Sequence, residues 1–374
     1  MARLLHIYRR YWPDEGGIEW TMRTFCEEAV RQGHEVSALV SAPTPRTVTT
    51  AHNGVQIIRS ACLGTVANTP FCPRMPATIR RLQPDLVELH HAYPYGLWAL
   101  LHSGFDGPFV LHYHFDISRF GPLQAVIAPL MQRGLQRADC IFVNSQGYAE
   151  TSPVVGPWLE KCEFIPPGVD PRKLDLTPEM QARVAELQRG DRLQVLFVGR
   201  LSHYKGLPEL VTAMQWVEGE LTLVGRGQLA GELAALAERL GIADRVHFTG
   251  RVDDRELVCR YHASEVVVLP SVSRGESFGL TQVEAMLAGK PVVCSDLPGV
   301  CEVGVDGVTC CVVPRGEPRA LAEALQRLGG DAELRRRLGE AGRQRALAEF
   351  DLQKVIARRL AVYDRLLGMT TEVG

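Results

Sequence analysis

An α/β protein built from two successive parallel-sheet halves is what this sequence predicts, and three observations carry the prediction. Short apolar runs alternate with amphipathic stretches along the whole chain. The alternation restarts after the stretch Pro166-Pro-Gly-Val-Asp170. The chain has 374 residues, and single cores stop growing at about 250–300 residues. Hydrophobic residues make up 46% and charged residues 22%, a globular balance that excludes disordered and fibrous classes.

The first half opens on the strand Arg3–Ile7, followed by a turn with Pro13, Gly16 and Gly17. Ile18, Met22, Phe25, Ala29 and Val30 recur at helical spacing, and Gly33 stops that helix. Val36–Val40, Leu86–Leu89, Phe109–His112 and Cys140–Val143 read as further strands. After the junction, strands are expected at Gln194–Val198, Leu221–Val224, Val246–Phe248, Val266–Leu269 and Pro291–Cys294. Helices fall between them, at Leu207–Val217 and Gln228–Leu240, with another beginning near Gly279 and running through Ala288. An amphipathic helix from about Leu352 to Leu367 follows the second sheet. The expected domains are 1–170, joined by the last helix at about 352–374, and 185–350. No internal repeat or low-complexity tract is present.

A formal net charge of −2 gives no global field that would favour nucleic acid or a membrane. Residues 36–84 nevertheless hold Arg46, Arg59, Arg74, Arg80 and Arg81 and no Asp or Glu. That is either a solvated face or a patch for an anionic acceptor or lipid headgroups. The ten cysteines show no Cys-x-x-Cys, and several lie in apolar runs, where Cys behaves as a small hydrophobe. A reduced, cytoplasmic chain is the expectation. The first eleven residues lack the apolar core of a signal peptide. No run of 18 apolar residues occurs, so membrane contact is expected to be peripheral, at the inner face.

In open parallel sheets, ligands bind beyond the carboxyl ends of the strands, and two such sheets would form one interdomain cleft. Four loops carry candidate chemistry. Gly16-Gly17, ahead of the first helix, suits a pyrophosphate, because glycine permits close backbone approach and a helix start offers free N–H groups. It is not a Gly-x-Gly-x-x-Gly fingerprint. Gly199-Arg-Leu-Ser-His-Tyr-Lys-Gly206 follows a strand end and brings Arg200 and Lys205, two cations able to neutralise a departing diphosphate. Glu276-Ser-Phe-Gly-Leu-Thr-Gln-Val-Glu284 places Glu276 in a loop toward a donor sugar. It also places N–H donors around Phe278, Gly279 and Leu280, and Glu284 inside a helix where it can accept from two ribose hydroxyls. The fourth is His112-Tyr-His-Phe-Asp116. Alternation puts His112 and His114 on one face. A His-x-His metal site there lacks an obvious third ligand, so the expectation is one histidine donating to a sugar hydroxyl or a carbonyl. Asp116 would orient it or hold the acceptor.

Together these motifs resemble glycosyltransferase family 4, retaining enzymes of the GT-B fold. The string from Glu276 to Val293 is similar to that family's Glu-x7-Glu signature, and Gly199–Gly206 to its diphosphate loop. Pro167-Gly-Val-Asp170 is similar to its junction Asn-Gly-Val-Asp, with Pro167 in place of Asn, and His114-Phe-Asp116 to its His-x-Asp. The resemblance implies two Rossmann-like domains with the last helix returning to the first. It implies that Arg200 and Lys205 hold the diphosphate and Glu284 the ribose. Glu276 would lie near the sugar, and the backbone at Phe278–Leu280 would touch sugar and phosphate. Val252 would face the nucleobase, and His114 would contact the sugar near the reacting carbon.

No two aspartates stand two apart, so the Asp-x-Asp common in metal-using transferases is missing and neither metal nor cofactor is expected. Fixed positive charge would stabilise the leaving group instead. Glu276 is the only candidate nucleophile for a double displacement, and it is read as electrostatic. Attack from the face that the diphosphate leaves is the alternative, within domains expected to close on the donor to exclude water. The expected reaction is transfer of a hexose, GDP-mannose being the first donor to test, to a saccharide or lipid-linked saccharide. The acceptor would lie on the first domain, near Tyr11, His90, Tyr93 and Asp116. The Tyr-Lys-Gly form of the phosphate loop resembles enzymes of bacterial surface-polysaccharide synthesis. The competing readings are a nucleotide-sugar epimerase or phosphorylase on this architecture, and a non-catalytic sugar-nucleotide-binding subunit. The latter two are disfavoured by the lack of a distinct pyridoxal lysine and by the presence of both His114 and Glu276.

Overall fold

A computed structural model describes residues 1–14, 16–66, 69–116, 124–188 and 190–369. The chain falls into two compact units: Met1–Pro166 with the chain from Val355 onward, and Pro167–Lys354. The first is built on an eight-stranded sheet. Arg3–Ile7 lies inside it, flanked on one side by Glu35–Ser41, Val55–Ser60 and the antiparallel edge Val48–His52. On the other side come Leu86–His91, Phe109–Tyr113, Cys140–Val143 and Cys162–Phe164, all parallel. Every residue of Leu86–His91, Phe109–Tyr113 and Cys140–Val143 is buried, as expected of parallel strands covered on both faces.

The hairpin Val48–His52/Val55–Ser60 is absent from the pattern-based reading. Its turn is Asn53-Gly54 with φ of 48° and 81°, the left-handed pair that two-residue hairpins require. The exposed edge strand carries almost no apolar signal, which is why periodicity passes over it. Part of the arginine-only segment folds here. Arg59 donates to Thr50 Oγ1 at 2.9 Å and to the Trp12 carbonyl at 2.5 Å, while Arg80 donates to the Ser103 carbonyl at 2.9 Å. Arg46, Arg74 and Arg81 are exposed.

The second unit holds a six-stranded, wholly parallel sheet. Its spatial order is Val246–Gly250, Gly219–Val224, Leu193–Val198, Val266–Leu269, Val292–Ser295, Cys310–Val313. This is the doubly wound 3-2-1-4-5-6 order, whose ligand crevice opens where the winding reverses, between its first and fourth strands. Those strands are Leu193–Val198 and Val266–Leu269, paired through Val195 with Val266 and Leu196 with Val267. Leu193, Val195 and Phe197 join one apolar cluster, and Leu196 another that includes Val267 and Leu269. The sheet is thus packed on both sides.

The last helix, Leu352–Leu366, lies mainly within the first unit. Arg359 and Tyr363 are fully buried there. No helix among the described residues is long and apolar enough to cross a membrane. All ten cysteines are free.

Candidate active site

In the second unit, the two loops that begin at the reversal point carry the predicted charges. Gly199 follows Leu193–Val198 with φ of 150°. A short turn, His203–Lys205, ends at Gly206 with φ of 65°, and the helix Leu207–Ala213 follows. A Cβ on Gly206 would lie 1.9 Å from the Pro270 carbonyl oxygen, so the loop after Leu193–Val198 packs backbone to backbone against the loop after Val266–Leu269. That approach brings Lys205 Nζ onto Glu276 Oε2 in an ion pair, with side chains only 9% and 13% exposed. Ser271 Oγ donates to the same carboxylate oxygen at 3.3 Å. Burial works against the charge on Lys205, but the Glu276 carboxylate and the Tyr204 phenol more than offset it. They hold the ammonium above the ordinary lysine value. Arg200 is exposed and forms no ion pair among the described residues.

The helix Leu280–Leu287 begins beyond Gly279, which caps it at φ of 87°. A Cβ there would meet Leu269 Cδ2 at 2.3 Å, so only glycine lets this helix start so close to the sheet. Phe278 is buried, edge-on to Phe350 at 5.6 Å. Its side chain is therefore core. Gln282, fully buried, donates to the carbonyls of Phe278 at 3.2 Å and Val300 at 3.0 Å and pins the loop. Glu284, one turn into the helix, accepts from the Tyr261 hydroxyl at 2.5 Å. Burial raises its carboxyl above the usual range against that hydrogen bond. Val252, partly buried, follows Gly250 (φ 68°) and packs against the apolar cluster around Leu269 and Phe278.

Two further glycines escaped the sequence reading. A Cβ on Gly225 would lie 1.9 Å from the Gly199 carbonyl oxygen, and one on Gly227 would lie 2.0 Å from that of Leu201. Gly225-Arg-Gly227 follows a strand end, which is the signal that could have found them. Ser271 and Tyr261 had no such signal.

In the first unit, Gly16 and Gly17 open the helix Gly17–Arg31. Gly16 is extended, and a Cβ there would press on Glu19 Oε2 at 2.4 Å. Gly17 has open space around its Cβ position. His112 and His114 do share a face, with rings stacked at 4.0 Å. A third nitrogen, not apparent from the His-x-His pair, comes from His90, whose Nδ1 lies 3.0 Å from His114 Nε2. Beneath them, Glu88 accepts from His112 Nδ1 at 2.9 Å and from Arg359 and Tyr363 of the last helix. Burial would raise Glu88, but the Arg359 guanidinium together with His90, His112 and His6 outweighs it and holds the carboxyl well below the usual range. Burial lowers His90 and His114 well below the ordinary histidine value, so both are neutral at pH 7. His90, His112 and His114, or His6, Glu88 and His90, bring ligand atoms close enough together to consider a metal ion.

The proposed acceptor residues are distributed differently. Tyr11, His90 and Tyr93 are each at most 1% exposed, and Tyr93 donates to the Pro70 carbonyl at 3.3 Å. The partner of His114 is His90 rather than Asp116. Asp116, beyond the end of the strand, accepts from Tyr113 at 2.7 Å and Ser152 at 2.6 Å, and its N–H donates to Tyr148 at 2.6 Å. Glu88 could have been suspected from sequence, as a carboxylate inside the apolar run Leu86-Val-Glu-Leu. Arg359 and Tyr363 look like ordinary residues of an amphipathic helix.

Residues 180–345 match the family described as glycosyl transferases group 1, and residues 15–173 match Glycosyltransferase Family 4. Among curated relatives, the O-antigen chain mannosyltransferase C of Escherichia coli is 29% identical over 98% of this chain and 99% of its own. The D-rhamnosyltransferase WbpZ of Pseudomonas aeruginosa is 33% identical over 87% and 86%. Among solved structures, a sucrose-phosphate synthase from Thermosynechococcus elongatus superposes with a TM-score of 0.82 at 23% identity, covering 98% of this chain and 100% of that one. Anabaena Alr3699/HepE in complex with UDP and glucose gives 0.78 at 21% identity, covering 97% and 100%. At those identities the structural likeness speaks for the fold.

Proposed function

Because this chain belongs to the family 4 glycosyltransferases, enzymes acting on nucleotide sugars, we propose that it transfers mannose from GDP-mannose to a saccharide or lipid-linked saccharide. The anomeric configuration is kept and no metal ion takes part. The observation that carries this reading is the buried Lys205–Glu276 pair at the reversal point of the sheet, beside an exposed Arg200. A buried ion pair is weak support for stability, because desolvation consumes most of its attraction. It suits a site where an incoming diphosphate takes over the ammonium. Arg200 and Lys205 then hold the diphosphate, and Glu284 accepts from the ribose. N–H groups at Phe278–Leu280 meet sugar and phosphate oxygens, and Val252 lies against the base. His114 has the donor sugar as its ligand. Gly16-Gly17 offers the start of a fifteen-residue helix to phosphate.

In the step itself, the bond from the anomeric carbon to the diphosphate oxygen breaks. The acceptor oxygen bonds that carbon on the same face, and its proton passes to the departing phosphate oxygen. Positive charge fixed in advance stabilises the leaving group, and losing one such donor typically costs about 10²–10³ in rate. Glu276 has Lys205 and Ser271 on one carboxylate oxygen, which favours an electrostatic role over a nucleophilic one. Mannose as the sugar rests on the mannosyltransferase relative, and a surface polysaccharide or glycolipid acceptor on the same kinship. The cytoplasmic, inner-membrane-face setting belongs to this reading too.

The test is turnover of a panel of GDP- and UDP-sugars by the full chain, with and without chelator. GDP-mannose is expected to be consumed at the same rate in both. Loss of turnover in chelator, restored by magnesium or manganese, would overturn metal independence. A mannosyl–Glu276 adduct found by mass spectrometry would replace same-face attack by double displacement.

A further inference from the structure

The buried cluster under His114 has no role in the reaction as described so far, yet the Glu88 carboxylate beneath it dictates where its protons sit. Strand alternation puts Glu88 and His90 on one face of Leu86–His91, and the register His90 beside His112 brings the next strand's histidines against them. The last helix covers this face. Arg359 lies over the Phe25 ring at 3.8 Å, its Nε donates to Glu88 Oε2 at 3.2 Å, and Tyr363 hydrogen-bonds the same oxygen.

A carboxylate only accepts, so each neighbour must present a proton to it. His112 does so through Nδ1. His90 Nε2 lies 3.3 Å from the same Oε1 and 3.4 Å from His6 Nδ1, a ring nitrogen able to donate or to accept, so the carboxylate decides between the two. A lone pair there would face the carboxylate's charge, so the His90 proton sits on Nε2 and the lone pair on Nδ1. That nitrogen is 3.0 Å from His114 Nε2. The two rings are within 8° of parallel and their centroids are 5.3 Å apart. That separation is the nitrogen–nitrogen distance plus the two ring radii, so the contact is an in-plane hydrogen bond rather than a stack. The proton between them belongs to His114.

The same geometry argues against a shared metal ion. Two nitrogens of a tetrahedral zinc, at Zn–N bonds of ~2.0–2.1 Å, have lone pairs that converge on the metal at roughly 109°, whereas the His90 and His114 nitrogens point straight at one another across 3.0 Å. The face-on rings of His112 and His114, 4.0 Å apart and 25° from parallel, direct their lone pairs along separate planes.

We propose that Glu88, clamped by Arg359 and Tyr363 of the last helix, acts through His90 as a positioning residue that fixes the tautomer of His114, with the proton on Nε2 and the lone pair on Nδ1. The inference rests on the transferase reading for the use His114 makes of that lone pair. His114 then offers the donor sugar an accepting nitrogen, where the sequence suggested a donating one. The lowered affinity of His90 and His114 for a second proton keeps both rings neutral, the state in which a tautomer has meaning. The last helix thereby contributes to the reaction without touching substrate.

The test is long-range proton–nitrogen NMR on full-length chain labelled at histidine nitrogen, with His114 assigned by its loss in His114→Gln. The expected result is the Nε2–H pattern for His114 in the unaltered protein. In Glu88→Gln, whose amide can donate, the pattern shifts toward Nδ1–H. kcat for donor consumption falls about 10- to 100-fold, the scale of loss when the hydrogen-bond partner that orients a metal-bound imidazole is removed. The donor KM stays within about threefold, because contacts to the nucleotide are untouched. Should Glu88→Gln not fold, His90→Gln breaks the relay while leaving Glu88 paired with Arg359, and the same mixed tautomer and kcat loss are expected. An Nδ1–H pattern in the unaltered protein overturns the proposal. So does an unchanged His114 tautomer in whichever variant folds, or added zinc shifting the His90, His112 and His114 nitrogens together at one equivalent. Turnover by the unaltered chain tests the transferase reading separately, since the NMR pattern is read whether or not a donor is consumed.

Discussion

Lys205→Ala separates the stability of the site from its chemistry. The substitution removes the ammonium and leaves Glu276, 13% exposed, with Ser271 as its remaining side-chain donor at 3.3 Å. Breaking one side of a buried pair costs about 3–5 kcal/mol, and the Ser271 bond with residual solvent access places this case near ~3 kcal/mol. For a unit of this size each kcal/mol moves Tm by about 2–4 °C, so thermal denaturation should show a fall of about 6–12 °C. Turnover of the nucleotide sugar should fall about 10²–10³-fold, as for other lost leaving-group donors. Adding Glu276→Gln removes the stranded charge, so the double variant should recover more than half of the lost Tm and none of the lost kcat. The pH dependence has a definite sign. Lys205 is held above the ordinary lysine value, so its contribution is complete below about pH 10.4 and is lost as pH rises through its native value. The Tm gap between the unaltered chain and Lys205→Ala should therefore hold from neutral pH to about pH 10 and close above it. A single variant that keeps both Tm and turnover, or a double variant that regains turnover, would refute this account of the pair.

Further expectations concern the ribose site and the glycines. Burial raises the Glu284 carboxyl, so its ionised form costs stability above the usual carboxylate range. Glu284→Gln should raise Tm at pH 7 and leave it unchanged near pH 4. The donor KM should rise about 10-fold or more for the lost charged hydrogen bonds, read by steady-state kinetics. Gly206→Ala places a Cβ 1.9 Å from the Pro270 oxygen at φ of 65°; unfolding in denaturant should show a loss above about 4 kcal/mol. Gly17→Ala meets no atom within 4 Å and begins a helix, so Tm should hold or rise. Donor affinity by calorimetry should drop if this turn cradles phosphate, and an unchanged affinity would remove Gly17 from the donor site.

Most of the parallel strands and the chemistry-bearing loops were legible in the sequence, because hydrophobic periodicity and strand-end glycines are local properties. The misses have local causes as well. The edge strand Val48–His52 is exposed at nearly every residue, so it carries no burial pattern, although Asn53-Gly54 marks its turn. The edge strands Cys162–Phe164 and Cys310–Val313 were passed over as well, the first being only three residues long and half-buried throughout.

Local patterns along the chain are enough to place two α/β halves one after the other, to put Arg200, Lys205, Glu276 and Glu284 in or beside loops after strands, and to show which family motifs they form. Which of these side chains meet is set by packing over long stretches of chain. Lys205 reaches Glu276 across 71 residues because the winding of the sheet reverses between their strands. Glu88 reaches Arg359 across 271 residues because the final helix closes over the first sheet. Strand order and helix return are set by the sum of many burial contacts spread along the chain. A buried carboxylate or guanidinium, read locally, has the same letters as a solvated one; only the packed neighbours turn it into a clamp.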